Sequence, residues 1–145
     1  MFISIITKPR TFAERFQRQF YTIVPDDLTK NPRTPVVYGV FENMTIKDET
    51  AEVRLYNLSA ASAATADRFA NPHVDGMLIG HVMGSNLVYV TDLISPRGAP
   101  ILRSDATVAV GNTLREFDVE DPVTFVGGHG GTVKQAEMAA ALAAN

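Results

Sequence analysis

Two apolar segments joined by a short turn restrict the fold of this chain more than any other feature. The segments are MLIGHVM (77–83) and NLVYVTDLI (86–94), and the link between them is formed by Gly84, Ser85 and Asn86. Glycine and asparagine readily adopt the positive φ angles that tight hairpin turns need. Both segments are apolar on nearly both faces, so we predict a β-hairpin at the centre of a sheet.

Several other segments alternate apolar and polar side chains with the period of a β-strand. We predict strands at residues 2–7, 36–41, 44–48, 51–58 and 106–112, with a hairpin turn at 47–50. Within 51–58 two apolar side chains alternate with three others: Val53 and Leu55, against Glu52, Arg54 and Tyr56. This alternation is typical of a half-buried antiparallel strand.

Helices are predicted at residues 11–20, 59–70 and 132–144. The first carries Phe12, Phe16 and Phe20 at spacings of four, which places the three rings in one stripe. The stripe indicates either packing in the core or an anchor inserted into a neighbouring subunit. Together the elements predict an α+β fold, a single domain over 1–145 with a mostly antiparallel β-sheet and two or three short helices.

Residues 25–35 interrupt this pattern with three prolines, among them Pro32 and Pro35, and almost no apolar side chains. Proline holds the chain extended and cannot continue a helix or a central strand. We predict a surface loop or arm that either connects two elements or reaches a partner. It is too short to divide the chain into domains.

Composition limits the classes of partner. The chain has 145 residues, of which 46% are hydrophobic, so one packed domain is expected. A net charge of −3 and a pI near 5.5 argue against nucleic-acid binding.

There is no cysteine, and the apolar opening stretch ends at Lys8, which is short for a signal peptide or a membrane span. We therefore expect no membrane association, and a location in the cytoplasm or in a particle assembled there.

A glycine-rich turn lies near the end of the chain, in the stretch PVTFVGGHGGTVKQAEMAAAL (122–142). We predict a strand, a turn and then a helix capped by Thr132. A turn between a strand and a helix N-terminus can bind an anion through its backbone N–H groups. The candidate ligand-binding residues are Gly127, Gly128, His129, Gly130, Gly131 and Thr132. Because the spacing matches neither the phosphate loop nor the dinucleotide pattern, a flexible turn that docks the last helix is an equal alternative.

The sequence contains no complete catalytic or metal-binding pattern. Its histidines are His73, His81 and His129, and a zinc site would need most of them to converge. No serine lies in a Gly-x-Ser-x-Gly elbow. The acidic residues Asp118, Glu120 and Asp121 indicate a solvated sheet edge rather than a cation site. We therefore predict no catalytic residue, no metal and no cofactor.

One stretch resembles a known class of proteins. AEVRLYNLS (51–59) is similar to a segment of bacteriophage tail and baseplate hub-type proteins, in which a strand ending in Tyr-Asn-Leu-Ser leads into a small helix. Tyr56, Asn57, Leu58 and Ser59 match that segment. The resemblance implies a structural protein of a virion.

A second resemblance points elsewhere. Residues 72–96 are similar to the opening strands of MPN/JAB metallopeptidases, and FVGGHGGT (125–132) lies where that family has its zinc-binding histidine motif. Here Gly131 replaces the second histidine of the motif. The resemblance therefore implies an inactive MPN/JAB-like module at most.

From these observations we expect a non-enzymatic structural subunit of a larger assembly, most plausibly a phage capsid or tail component. Its partners would be other protein subunits, in a homo-oligomer or a hetero-assembly. The expected contacts are Phe12, Phe16, Phe20, Pro32 and Pro35. The alternative is a small-ligand-binding or anion-binding protein, or an enzyme, that uses the turn at 127–132.

Overall fold

The computed structural model describes residues 4–7, 30, 36–58, 77–96, 100–119 and 123–144. The chain forms two compact units, residues 1–40 and residues 41–145. In the first unit, β1 (Ser4–Thr7) pairs in parallel with β2 (Val36–Gly39). The helices predicted at 11–20 and 59–70 and the arm at 25–35 lie outside the described residues, apart from Lys30. A single domain over 1–145 stays a prediction.

The second unit is built on a six-stranded sheet with the order β3-β4-β5-β6-β7-β8. Its strands and helices, in chain order, are β3 (Asn43–Lys47), β4 (Glu52–Asn57), β5 (Leu78–Val82), β6 (Leu87–Tyr89), a 3-10 helix (Thr91–Leu93), α1 (Asp105–Glu116), β7 (Thr124–Val126), β8 (Thr132–Lys134) and α2 (Gln135–Ala143). All neighbouring strands are antiparallel except β6 and β7. The predicted α+β class with a mostly antiparallel sheet is confirmed.

Both predicted hairpin turns are present. Between β5 and β6, Gly84 and Asn86 adopt positive φ angles of 79° and 48°. Between β3 and β4, the Asp48 carboxylate accepts hydrogen bonds from the backbone N–H groups of Thr50 (2.7 Å) and Ala51 (2.9 Å). These bonds, led by the one from Thr50, hold the pKa of Asp48 below its usual value. The hairpin of β5 and β6 lies at the centre of the sheet, as predicted.

The strand predicted at 106–112 is wrong, because these residues lie within helix α1. The alternation of small and β-branched residues there has a strand period, but the start of the segment has a helix signal. Ser104 accepts a hydrogen bond from the backbone N–H of Thr107 (3.2 Å), and the Thr107 hydroxyl accepts one from the Ser104 N–H (2.7 Å). This reciprocal cap starts the helix. A parallel link from β6 to β7 also requires a crossover, which α1 provides.

The end of the chain also differs from its prediction. Residues 132–134 form β8 rather than the first turn of the closing helix. Val133 is buried opposite Phe125 of β7, and its β-branched side chain fits a strand. Helix α2 therefore begins at Gln135, and Glu137 accepts a hydrogen bond from the Lys134 N–H (2.8 Å) in place of the predicted Thr132 cap.

The two faces of the six-stranded sheet have different surroundings. We call one the packed face, because α1 and α2 cover it. Its buried strand residues are Tyr56, Ile79, His81, Val88, Phe125 and Val133, and the helices contribute Ala109, Val110, Leu114 and Met138 to the same core. The Tyr56 ring stacks on Phe117 with their centroids 4.9 Å apart. Strand β4 is antiparallel to both of its neighbours, and its Tyr56 is buried on the packed face, so the half-buried antiparallel strand predicted at 51–58 is confirmed.

The opposite face, here the open face, is also apolar. Its apolar side chains are Met44, Ile46, Val53, Leu55, Leu78, Val82, Leu87, Tyr89 and Val126; Ile46 and Tyr89 are exposed and the other seven are partly buried. Because strand side chains alternate between faces, these residues form one continuous surface across five strands. Neither α1 nor α2 covers that surface.

Candidate functional site: a glycine corner and an open sheet face

The parallel pairing of β6 and β7 brings the ends of both strands to one edge of the sheet. Tyr89 pairs with Val126, and the Val90 N–H donates a hydrogen bond to the Val126 carbonyl (2.9 Å). The chain then enters the 3-10 helix after β6 and the glycine turn after β7. Residues Thr91–Leu93 and Gly127–Gly131 therefore meet, and we call this pair of segments the glycine corner.

The first two glycines of the corner allow close approach of the backbone. A Cβ on Gly127 would lie 2.3 Å from the Ile94 carbonyl oxygen. A Cβ on Gly128 would lie 2.8 Å from the Asp92 carboxylate and 3.2 Å from the carbonyl carbon of Thr91. The Ile94 carbonyl cannot move aside as a flexible side chain can, so position 127 excludes larger residues, whereas at position 128 the backbone contact is tight and the Asp92 side chain must shift.

The last two glycines of the corner serve a different purpose. Gly130 and Gly131 have φ angles of 88° and 115°, which L residues with a side chain rarely adopt. These angles reverse the chain between β7 and β8. The first pair of glycines therefore allows close backbone approach, and the second pair allows positive φ.

The backbone donors of the corner are partly engaged within the protein. The Gly127 N–H donates to the Gly131 carbonyl (3.2 Å) and the Gly128 N–H donates to the Thr91 carbonyl (2.6 Å). A strand follows the turn, so no helix N-terminus faces it. Anion binding by Gly127 to Thr132 stays a prediction, but two of the donors that it would use already have partners.

A histidine and a carboxylate meet at the surface of the corner. His129 Nε2 lies 3.1 Å from Asp92 Oδ1, and the two side chains are 68% and 49% exposed. Thr91, immediately before Asp92, has a φ of 49°, which is strained for a β-branched residue. The sequence predicted His129 as a site residue, but Asp92 was missed because only the parallel pairing brings it there.

His81, the other described histidine, is not part of this pair. His81 is buried in β5. Burial lowers the pKa of His81; the charge of Arg54 acts in the same direction, and the side chain of Asn86 opposes it. His73 lies outside the described residues. Within the described part of the chain, no group of three or more histidine and acidic side chains could hold a metal ion.

Of the remaining predicted site residues, Asp118 lies among the described residues. Asp118 is exposed at the end of α1 with a φ of 48°, but Glu120 and Asp121 lie outside the described residues. The same holds for the predicted contact residues Phe12, Phe16, Phe20, Pro32 and Pro35. Contacts through these residues therefore stay predictions.

The open face is a second candidate site, and the sequence pointed to it only through the apolar character of both faces of 77–83 and 86–94. Ile46 and Tyr89 are the most exposed of its large apolar residues, at 44% and 46%. Gly80 lies between Leu55 and Tyr89 in the register of the sheet, and among the described residues the nearest heavy atom to a Cβ placed there would be Leu55 Cδ2, at 3.6 Å. The face thus has a shallow hollow at its centre.

Charge is nearly absent from the open face. Among its described strand residues the polar ones are Asn57, Thr124, Thr132 and Lys134. Lys134 is the one charged member, lies in the edge strand β8, and donates a hydrogen bond to the Thr124 hydroxyl (3.1 Å). An exposed antiparallel face usually carries polar side chains, so this surface has the composition of a contact surface.

No protein-family model and no curated protein sequence matches the chain. Among the residues that the structure describes, no helix has the length and apolar character needed to cross a membrane. The geometry of the glycine corner and of the open face is therefore the basis for the functions proposed below.

Proposed function

We propose that the protein is a non-enzymatic structural subunit of a larger assembly and that it binds through the open face. The single observation that carries this proposal is an apolar surface across five strands that α1 and α2 leave uncovered. Burial of apolar surface contributes roughly 25 cal/mol per Å², so the exposed side chains favour association with another surface. Continuous apolar patches of this kind mark interaction sites in many proteins.

The partner that we propose for the open face is a second copy of the chain. In a two-fold dimer the same surface contacts itself, so like charges on that surface would face each other. The described strand residues of the face carry one charge, that of Lys134, and it lies at the edge. Self-association through the centre, around Gly80 and Tyr89, therefore brings no like charges together.

The assembly that we propose is a phage particle, in its capsid or tail. Support comes from the segment that resembles tail and baseplate hub-type proteins. Strand β4 ends at Asn57 and Leu58 is helical, so the chain changes from strand to helix within Tyr56-Asn57-Leu58, as it does in those proteins.

The test is the oligomeric state of the purified full chain, measured by light scattering during size-exclusion chromatography. We expect a discrete oligomer for the native sequence. The double substitution Ile46→Glu and Tyr89→Glu should yield a folded monomer, because both side chains are exposed enough to be replaced without loss of the core. Leu102→Glu is the matched control, since Leu102 is 79% exposed but lies before α1 rather than on the sheet. A native chain that remains monomeric at high concentration would contradict the proposal.

A second candidate function is small-ligand binding, or an enzymatic activity, at the glycine corner. The contact between His129 and Asp92 favours it, because a carboxylate that orients an exposed imidazole is a common arrangement for proton transfer. Under this proposal His129→Ala and Asp92→Asn each abolish binding or turnover while the chain stays folded. Unchanged function in both variants would exclude the corner as a site. No observation among the described residues favours an MPN/JAB-like module.

A further inference from the structure

The six-stranded sheet ends in two edge strands, and the chain leaves little room at one of them. That edge is β8, which has three residues and is followed at once by helix α2, from Gln135. The backbone N–H of Lys134 in β8 donates a hydrogen bond to the Glu137 carboxylate (2.8 Å). A further strand would therefore find few available backbone groups along β8.

The other edge strand, β3, directs part of its backbone outward. At its two ends, the Asn57 N–H donates to the Glu42 carbonyl (2.8 Å) and the Asp48 N–H donates to the Ala51 carbonyl (3.0 Å). Hydrogen-bonded and non-hydrogen-bonded pairs alternate along an antiparallel ladder, so residues 44 and 46 also bond to β4. The residues between them direct their N–H and C=O groups away from β4: Asn43, Thr45 and Lys47.

The outer side of β3 is accessible. The side chains of Asn43, Thr45 and Lys47 are exposed, and none of the described residues forms a hydrogen bond with their outward backbone groups. No proline interrupts β3 and removes a donor. An edge of this kind can pair with another strand through main-chain hydrogen bonds.

We propose that β3 pairs with β3 of a second copy of the chain, antiparallel and about a two-fold axis at Thr45. Such an axis is normal to the sheet, so each outward residue lies opposite an outward residue of the second copy. Thr45 faces its own counterpart, and Asn43 faces Lys47. All outward N–H and C=O groups of β3 then have partners. This contact goes beyond the one proposed for the open face and does not depend on it.

The side chains of β3 favour a second copy as the partner. Two threonines that face each other across a strand pair stabilise a sheet. On the open face, Met44 lies opposite Ile46 of the second copy, so apolar side chains meet and the two open faces become continuous. Lys47 is the one charged residue of β3 and lies opposite a neutral asparagine.

Beyond the ends of β3, the same register places Glu42 opposite Asp48 of the second copy. The Asp48 carboxylate already accepts hydrogen bonds from the backbone N–H groups of Thr50 (2.7 Å) and Ala51 (2.9 Å). These donors offset part of its charge, so the like-charged pair opposes association only weakly.

The experiment separates the edge from the open face. All variants carry Tyr89→Glu, which disrupts the open face but leaves β3 unchanged, and their mass in solution is measured by light scattering. Tyr89→Glu alone should be a dimer. Adding Thr45→Glu or Thr45→Lys should lower the mass twofold, because like charges then meet at the axis. An equimolar mixture of these two variants should restore the dimer, since opposite charges meet.

The control is Thr45→Val, which keeps a neutral β-branched side chain and should remain a dimer. Circular dichroism checks that each variant is folded, as expected for an exposed position. A Tyr89→Glu chain that is monomeric, a dimer that persists with Thr45→Glu, or a mixture that stays monomeric would overturn the proposal. A native chain and a Tyr89→Glu chain of equal mass would instead contradict association through the open face.

A cysteine variant tests the register, and the native chain contains no cysteine. Under oxidation Thr45→Cys should form a disulfide-linked dimer, because facing Cα atoms of a hydrogen-bonded pair lie about 5.5 Å apart. Lys47→Cys is the matched control, since the two copies of residue 47 lie at opposite ends of the paired strands. Equal cross-linking of the two variants would overturn the axis at Thr45.

Discussion

On the packed face, Val88 and Phe125 are fully buried beneath the helices, whereas their chain neighbours Leu87 and Val126 on the open face remain partly exposed. Both faces of these central strands are apolar, so composition alone does not distinguish them. The two faces differ because α1 and α2 pack against the packed face and not against the open face. A face of a sheet can therefore be apolar either because it belongs to the core or because it receives a partner, and stability measurements separate the two cases.

The largest expected effect comes from removing a large buried side chain from the packed face. Phe125→Ala removes a fully buried ring, and we expect the free energy of unfolding to fall by about 3–5 kcal/mol. Tyr89→Ala, one strand away on the open face, should cost less than about 1 kcal/mol at protein concentrations low enough to prevent association. Urea denaturation measures both. Equal losses would show that the open face is part of the core.

The glycine corner extends the comparison, because close backbone packing rather than either face holds it together. Gly128→Val places side-chain atoms against Asp92 and Thr91, and we expect a loss of about 1–3 kcal/mol. His129→Ala is the control and should stay within about 0.5 kcal/mol, since the imidazole is exposed. Hydrogen exchange should show faster opening of β7, β8 and α2 in the Gly128 variant. Full protection of these elements in that variant would contradict this account.

His81 provides a pH-dependent test of the packed face. Its folded pKa lies below the ordinary value of 6.5, so between these two pH values the folded state binds fewer protons than the unfolded state. Stability should therefore decrease as the pH falls from about 6.5 toward the folded pKa, by at most about 1.4 kcal/mol per pH unit from this group. Below the folded pKa the contribution becomes constant.

The matched variant is His81→Phe, which keeps a ring in β5 but cannot titrate. Its unfolding free energy is measured by denaturant titration across the same pH range. This free energy should change less with pH than that of the native chain, because the contribution of His81 is missing. If the unfolding free energy depends on pH equally in the variant and in the native chain, His81 is not buried in its neutral form.

The smallest effect is expected at the hollow of the open face. Gly80→Ala adds a methyl group whose nearest neighbour is Leu55 Cδ2 at 3.6 Å, an ordinary contact. Replacing a strand glycine by alanine also lowers the entropy of the unfolded chain, so stability should rise by up to about 1 kcal/mol. Thermal unfolding measures the change. A clear loss would mean that the hollow is tightly filled.

Local signals in the sequence predicted the antiparallel half of the fold well. The turns at 47–50 and 84–86 are determined by residues within them, namely an aspartate that binds nearby N–H groups and a glycine and asparagine at positive φ. Such signals do not depend on the rest of the chain.

The predictions that were wrong depended on partners distant in the sequence. Residues 106–112 have a strand period, and it is the cap at Ser104 and the crossover to a parallel strand that make them helical. Val133 joins the sheet because Phe125 lies opposite. Asp92 becomes a neighbour of His129 only through the pairing of β6 with β7. The side of β4 that is buried is likewise decided by helices far along the chain.

The one parallel pair in the sheet has a consequence for how the chain folds. Strands β3 and β4, and likewise β5 and β6, are joined by tight turns, so each hairpin can form from neighbouring residues with little loop-closure entropy. Strand β7 can join β6 only after residues 90–123, which include α1, have closed a long loop. This non-local pairing raises the contact order, which slows folding. We therefore expect the docking of β7, β8 and α2 to be the late step, so that the glycine corner is completed at the end of folding.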